Sequence, residues 1–238
     1  MCKKLHFSIL LFVFVFVLKS QWKLLDGNET GLKIACDNKY LWTIGSDHGI
    51  YYFKGSNWYQ YPGNGKGYDI CAYNGIPFII GTDQKIYKGT SGGWRELAGG
   101  GFGKKITIDN NLGKIWILGI DNGIYYYNFD QWIQYPGEGK GLDICAFNDV
   151  PYVVGTNNKI YKGNGFGWSE VTGDGKGLSI SCDLETGKLF VIGTDNGIYS
   201  FEGYNWKELS GGGKGMDICI KFNLVFVIGI DNQFYYCE

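Results

Sequence analysis

Apolar residues along this chain fall in short runs without helical spacing. The runs are five or six residues long, rich in Ile, Val, Phe, Tyr and Trp, and bounded by Gly, Asn and Asp. That is the pattern of β-strands separated by tight turns. No window carries apolar residues at i, i+3, i+4 and i+7 over three turns, so no amphipathic helix is expected. Asp121-Asn122-Gly123 and Asp195-Asn196-Gly197 lie between apolar runs. Asn and Gly tolerate positive φ, so these tripeptides read as hairpin turns.

The pattern repeats. Trp22, Trp58, Trp94, Trp132, Trp168 and Trp206 follow one another at spacings of 36, 36, 38, 36 and 38 residues. Each opens a similar stretch: a Gly-rich loop, two apolar runs, a polar turn, then Ile-Tyr or Phe-Tyr. A fixed period in this range marks units that bury their apolar faces only against neighbours. In repeat two the four strands are expected at about 58–61, 68–73, 77–81 and 85–88. Six such units predict an all-β, six-bladed β-propeller of four-stranded antiparallel blades. With the 68–73 type of strand innermost, each blade takes its outer strand from the start of the next repeat. No Trp strand follows the fourth run of repeat six, so blade six is expected to borrow residues 22–25, closing the ring with the N-terminal strand.

Residues 22–238, with repeats starting at 22, 58, 94, 132, 168 and 206, are thus expected to form one domain, long enough for a single ring-shaped core. Residues 1–21 fall outside the repeat. Lys3 and Lys4 precede an apolar stretch from Leu5 to Leu18, and Ser20 offers a small residue for cleavage. This reads as a secretory signal peptide, too short for a comfortable membrane span, and implies a secreted chain with no span after cleavage; the alternative is an uncleaved anchor. Asn28-Glu29-Thr30 is an N-glycosylation sequon in an expected loop. A net charge of −1 argues against a nucleic-acid surface, which needs a clustered basic excess.

Five of the six cysteines after residue 21 fall on the innermost strand. Cys71, Cys145 and Cys219 share one position; Cys36 and Cys182 lie one residue further on, where repeat three has Ile108. Adjacent strand positions point to opposite sheet faces, so cysteines of neighbouring blades can face one another. Two pairings are open: Cys36 with Cys71 and Cys182 with Cys219, or Cys145 with Cys182 and Cys219 with Cys36. An oxidising compartment favours such bridges. Alternatively cysteine is here a small buried hydrophobe, as Ala35, Ala72, Ala146 and Ser181 at neighbouring places suggest. Cys237 lies on another strand.

The same strands carry Lys33, Asp69, Lys105, Asp143, Ser179 and Asp217 in turn around the channel. The three aspartates invite a cation, as in propeller hydrolases. Inter-blade ion pairs explain them better, because Lys33 and Lys105 would compete with a metal for the carboxylates. Catalytic chemistry is poorly supplied. After residue 21 the only histidine is His48, inside a turn, which leaves no basis for a Ser-His-Asp or His-rich zinc site. Loops such as GNGKG and GEGKG lack the Gly-Lys-Ser/Thr order of phosphate-binding loops and precede strands. No catalytic residue, metal or cofactor is expected, so the chain reads as a non-enzyme.

The repeat resembles the tectonin, or tachylectin-like, lectin family. Trp22-Lys-Leu-Leu-Asp-Gly27, Trp94-Arg-Glu-Leu-Ala-Gly99 and Trp206-Lys-Glu-Leu-Ser-Gly211 carry the likeness. Leu41-Trp42-Thr43-Ile44-Gly45 through Gly49-Ile50-Tyr51 adds to it, with echoes at 115–125, 189–199 and 225–235. The likeness spans residues 22–238. It implies a secreted or surface six-bladed propeller that binds sugars, often microbial or methylated glycans, through loops between blades. Only repeats one and three carry the second tryptophan, Trp42 and Trp116, and no sugar-contacting residue transfers by motif.

Strand alternation sends the Lys-bearing Gly loops and the Asx turns to one face of the disc. Amides and carboxylates there supply donors and acceptors for sugar hydroxyls. Tyr59, Tyr61, Tyr68 and Tyr135 are expected to add flat apolar area. Odd repeats share the form Ile/Leu-Gly-x-Asp-x-Gly-Ile-Tyr, at Ile44–Tyr51, Leu118–Tyr125 and Ile192–Tyr199, and the ring divides into double repeats of 72, 74 and 71 residues. Three like sites are therefore expected, with Asp47, Asp121, Asn122, Asp195 and Asn196 as candidate carbohydrate-binding residues. The expected function is a secreted multivalent lectin for surface glycans or lipopolysaccharide-like carbohydrates of microbes or of its own cells. The alternative is a non-lectin extracellular structural or protein-interaction propeller, and a channel-metal hydrolase comes third.

Overall fold

The computed structural model describes residues 22–25 and 29–237. Residues 1–21 and Asn28 lie outside the described residues. Twenty-four strands form six four-stranded antiparallel sheets, and no helix occurs among the described residues. The chain is a six-bladed β-propeller. In five blades the strands lie in chain order from the channel outward, for example Gly67–Tyr73, Ile76–Gly81, Ile86–Thr90 and Gly93–Glu96 in blade two. These bounds sit within two residues of those expected for the inner three strands.

The sixth sheet breaks chain order, because its outermost strand is Lys23–Leu24, paired antiparallel with Phe234–Cys237. Lys23 faces Tyr236 and Leu24 faces Tyr235. The ring is thus closed by a strand from the opposite end of the chain. The blades pack through apolar clusters shared between neighbours; one joins Phe78 and Ile80 of blade two to Ile106, Ile108 and Ile117 of blade three. Each burial of an Ile-sized side chain contributes roughly 1.5–3 kcal/mol.

Backbone contacts also tie blade to blade. The turn residue after the second strand sits in the left-handed region in all six blades: His48, Gln84, Asn122, Asn158, Asn196 and Asn232. Its carbonyl accepts the N–H of the glycine that opens the next blade, at 2.8 to 3.0 Å, for Gly67, Gly103, Gly141, Gly177, Gly215 and Gly31. In blades two to six the outer-strand indole, in turn, lies over the Gly-rich loop of its own blade. A Cβ added to Gly139 would stand 2.2 Å from Trp168 Nε1, so only glycine fits there.

The channel carboxylates have a structural task. Asp69 accepts the Ile106 N–H at 2.7 Å, Asp143 that of Ile180 at 2.9 Å, and Asp217 that of Ile34 at 2.8 Å. Lys105 pairs with Asp143 at 3.2 Å and Lys33 with Asp217 at 3.7 Å, the inter-blade ion pairs read from the charge alternation. Among the described residues no group of three or more metal-ligating side chains is gathered. Cys145 and Cys182 form a cross-blade disulfide with Cα atoms 5.9 Å apart, one of the two pairings the strand parity allows.

Candidate functional site

The Gly loops and Asx turns share one face, as strand alternation requires. In each odd blade the turn aspartate organises three groups. Asp47 Oδ1 accepts the Gly49 N–H at 2.8 Å, fixing the turn. Its Oδ2 accepts the Tyr51 hydroxyl at 3.2 Å and the Lys66 ammonium at 2.9 Å. Blade three repeats this with Tyr125 at 3.1 Å and Lys140 at 3.2 Å on Asp121. Blade five repeats it with Tyr199 at 2.8 Å and Lys214 at 3.6 Å on Asp195. The lysine comes from the loop that enters the following blade, so every cluster straddles an odd-to-even boundary.

Local electrostatics follow from these contacts. The Lys66 ammonium, helped by the Gly49 N–H and Tyr51, holds Asp47 below the usual carboxylate range against the opposing effect of burial. Burial works against Asp121, but the Gly123 N–H, Lys140 and Tyr125 keep it low. The Gly197 N–H and Tyr199 lower Asp195. The hydrogen bond to Asp195 pushes Tyr199 up to about 12. All three aspartates are therefore ionised near neutral pH, and all are about half exposed.

Even blades differ. Asp83, Asn157 and Asp231 still contact Tyr87, Tyr161 and Tyr235. There the turn lysines Lys85 and Lys159 pair instead with Glu96 and Glu170 on the outer strand of the same blade. The turns thus fall into two classes, three of each.

Clefts open beside two of these clusters, those centred on Asp121 and Asp195. One of about 230 Å³ is lined by Lys140, Asn157, Tyr161 and Trp168 in blade four. A second, about 260 Å³, lies among Lys176, Asp195, Tyr199 and Trp206 in blade five. The third, about 310 Å³, lies among Trp22, Lys214, Asp231 and Tyr235 in blade six. Each joins an Asx side chain and a lysine to a tyrosine and a tryptophan.

The structure distributes the sequence candidates unevenly. Asp47, Asp121 and Asp195 occupy equivalent cluster centres, and Asp195 also lines a cleft. Asn122 and Asn196 are half-buried and adopt φ of 63°. They serve the turn and the inter-blade carbonyl contact, and the Asn122 amide oxygen accepts from Lys104 at 3.0 Å. Tyr61 and Tyr135 are not on this face as expected: they wedge between Trp42 and Trp94, and between Trp116 and Trp168. Their hydroxyls bond Thr90 O and Gly165 N. Tyr59 stacks on Tyr52 within blade one, while Tyr68 does reach the turn face, edge-on to His48. Sequence reasoning missed Tyr51, Tyr125 and Tyr199, four residues beyond each aspartate, and Lys66, Lys140 and Lys214, nineteen beyond.

The six sheets around one channel define the class, a six-bladed β-propeller. No family model matches the sequence, and no curated protein matches it. Similarity is to solved structures. A protein of unknown function from Bacteroides thetaiotaomicron aligns with TM-score 0.65 and 9% identity over 92% of this chain and 76% of the other. The WD40 β-propeller domain of Doa1 gives 0.63 and 13%, over 91% and 97%. YCF48, in a structure bound to D1 peptide, gives 0.59 and 12%, over 94% and 98%. At these identities the likeness concerns the fold alone.

Proposed function

We propose that the protein is a secreted, non-enzymatic, multivalent lectin, of the tectonin or tachylectin-like kind, that binds surface glycans. The threefold recurrence of an Asp–Tyr–Lys cluster on one face is the observation that supports it. Each cluster offers charged donors and acceptors to hydroxyls, and the clefts beside the Asp121 and Asp195 clusters offer Trp and Tyr surface against which a sugar ring can pack. Three weak equivalent sites on one disc gain avidity against a repetitive cell wall or glycan coat. A glycan array that includes lipopolysaccharide and methylated sugars should show binding, and silence across it refutes the proposal. Calorimetry with a monovalent sugar should return a stoichiometry near three.

A protein-binding propeller is the second reading, favoured by a different feature. Every inner strand is bulged at its second residue, which leaves that residue unpaired at the channel mouth. Four of these positions are exposed and apolar, Tyr68, Leu142, Leu178 and Met216, a collar interrupted by the exposed Lys104. The collar would take apolar side chains of a peptide segment, and YCF48 provides a propeller seen with a peptide. Pull-down from secreted material separates the readings, because glycan-bound partners elute with free sugar and peptide-bound partners do not.

A further inference from the structure

The even-to-odd blade boundaries repeat one geometry three times. Cys71, Cys145 and Cys219 stand opposite Phe78, Tyr152 and Phe226 within their own sheets. On the next inner strand Ile108, Cys182 and Cys36 stand opposite Ile115, Leu189 and Leu41. Two residues before each even-blade cysteine lies the aspartate that binds the next strand, and the N–H it holds lies two residues before each facing position. Asp143 to Ile180 at 2.9 Å and Asp217 to Ile34 at 2.8 Å therefore set the same spacing at two boundaries. At the first of these the facing pair is the disulfide Cys145–Cys182. At the second it is Cys219 and Cys36. The Cys36 Sγ lies 3.1 Å from the carbonyl of Ile220, the residue after Cys219, and both cysteines are buried as free thiols.

We infer that Cys36 and Cys219 form a second cross-blade disulfide, which closes the ring covalently. Each thiol gives up its hydrogen as the S–S bond forms. A disulfide of the glutathione class accepts the two electrons and two protons, and leaves as two thiols. Both side chains are buried, at 6% and 4% exposure, so exchange takes place before the last and first blades seal. Burial pushes a Cys219 thiol well up, so a thiol left unoxidised when the seam closes would be unreactive, and the bond has to form earlier. Cys145–Cys182 joins neighbours 37 residues apart, whereas Cys36–Cys219 would span 183. It would add a covalent link to a seam otherwise held by the strand Lys23–Leu24, the Asp217–Ile34 and Asn232–Gly31 hydrogen bonds and the Lys33–Asp217 ion pair. Cys71 faces Ile108 at the remaining boundary and serves as an internal control that stays a thiol.

The test is peptide mapping of the full chain, folded with reduced and oxidised glutathione, alkylated under denaturing conditions without reductant and digested with trypsin. Peptide 34–39 should be recovered linked to 215–221, beside 141–159 linked to 177–188, with Cys71 alkylated in 67–85. Recovery of Cys36 and Cys219 as alkylated thiols, or of Cys36 linked to Cys71, overturns the inference whatever the state of Cys145. As a second measurement, C36S/C219S should melt about 10 °C below the oxidised protein, given the long loop and the size of the chain. The gap should vanish when both are melted in reductant. A gap that persists in reductant assigns the loss to packing and also overturns the inference.

Discussion

Replacing Asp69 with Asn probes how the channel manages its charge. Three carboxylates and two lysines meet there, with Ser179 where a third lysine would complete the alternation. Lys105 and Lys33 sit beside Asp143 and Asp217, and burial pushes Asp69 up to about 6 from 3.8 despite the attraction of both lysines. A pKa above the unfolded value means that the folded protein binds this proton more tightly. Asp69 is therefore least costly to the fold below about pH 4, and its cost grows as pH rises through about 6. The difference of about 2 pKa units corresponds to about 3 kcal/mol at pH 8, falling below about 1 kcal/mol at pH 4. Asn retains an oxygen for the Ile106 N–H while abolishing the charge. The variant should thus gain about 2–3 kcal/mol on the wild type between pH 4 and pH 8, or about 5–10 °C in melting temperature. Denaturation of both proteins at each pH, followed by subtraction, cancels the titration of the groups that do not interact with Asp69. A difference that stays flat across this window, or runs the other way, refutes the account of a strained buried carboxylate.

Three further outcomes follow from the packing. Gly139→Ala puts a Cβ 2.2 Å from Trp168 Nε1 and should cost about 1–3 kcal/mol by denaturant titration, whereas Gly92→Ala, with open space around it, should stay within about 0.5 kcal/mol. Trp22→Ala removes the indole that rests on Gly213 beside Leu209 and Tyr235. It should cost about 3 kcal/mol and raise amide exchange first in Phe234–Cys237, the strand it helps to cover. Asp121→Ala breaks a half-exposed pair with Lys140 and should change stability by about 1 kcal/mol or less, yet calorimetric stoichiometry for a monovalent sugar should drop from near three to near two.

Much of this architecture was legible without coordinates. Strand runs, turn tripeptides and the tryptophan period depend on local preference and on the neighbour-only packing of a repeat, so they survive in one dimension. Closure by residues 22–25 was legible too, because a missing outer strand in repeat six leaves an edge that only the first tryptophan segment can cover. The division of the turns into two classes of three also shows in the sequence, as Gly49, Gly123 and Gly197 against Lys85, Lys159 and Gln233.

Other features required the ring itself. Lys66 stands nineteen residues from Asp47, and nothing local says that its loop enters the next blade within 2.9 Å of that carboxylate. Tyr61 looks like any exposed strand-end tyrosine until the neighbouring blade closes Trp94 over it. The cysteine parity left two pairings open, and the choice between them for Cys182 fell to the carboxylate clamp that sets Cys145 opposite it. The period, the strands and the composition of each turn were set by the sequence, since short-range sterics and hydrophobic alternation act along the chain. Which carboxylate is strained, which tyrosine is buried and which lysine completes a cluster were set by tertiary structure, because burial and Coulomb contact depend on neighbours that closure alone brings together.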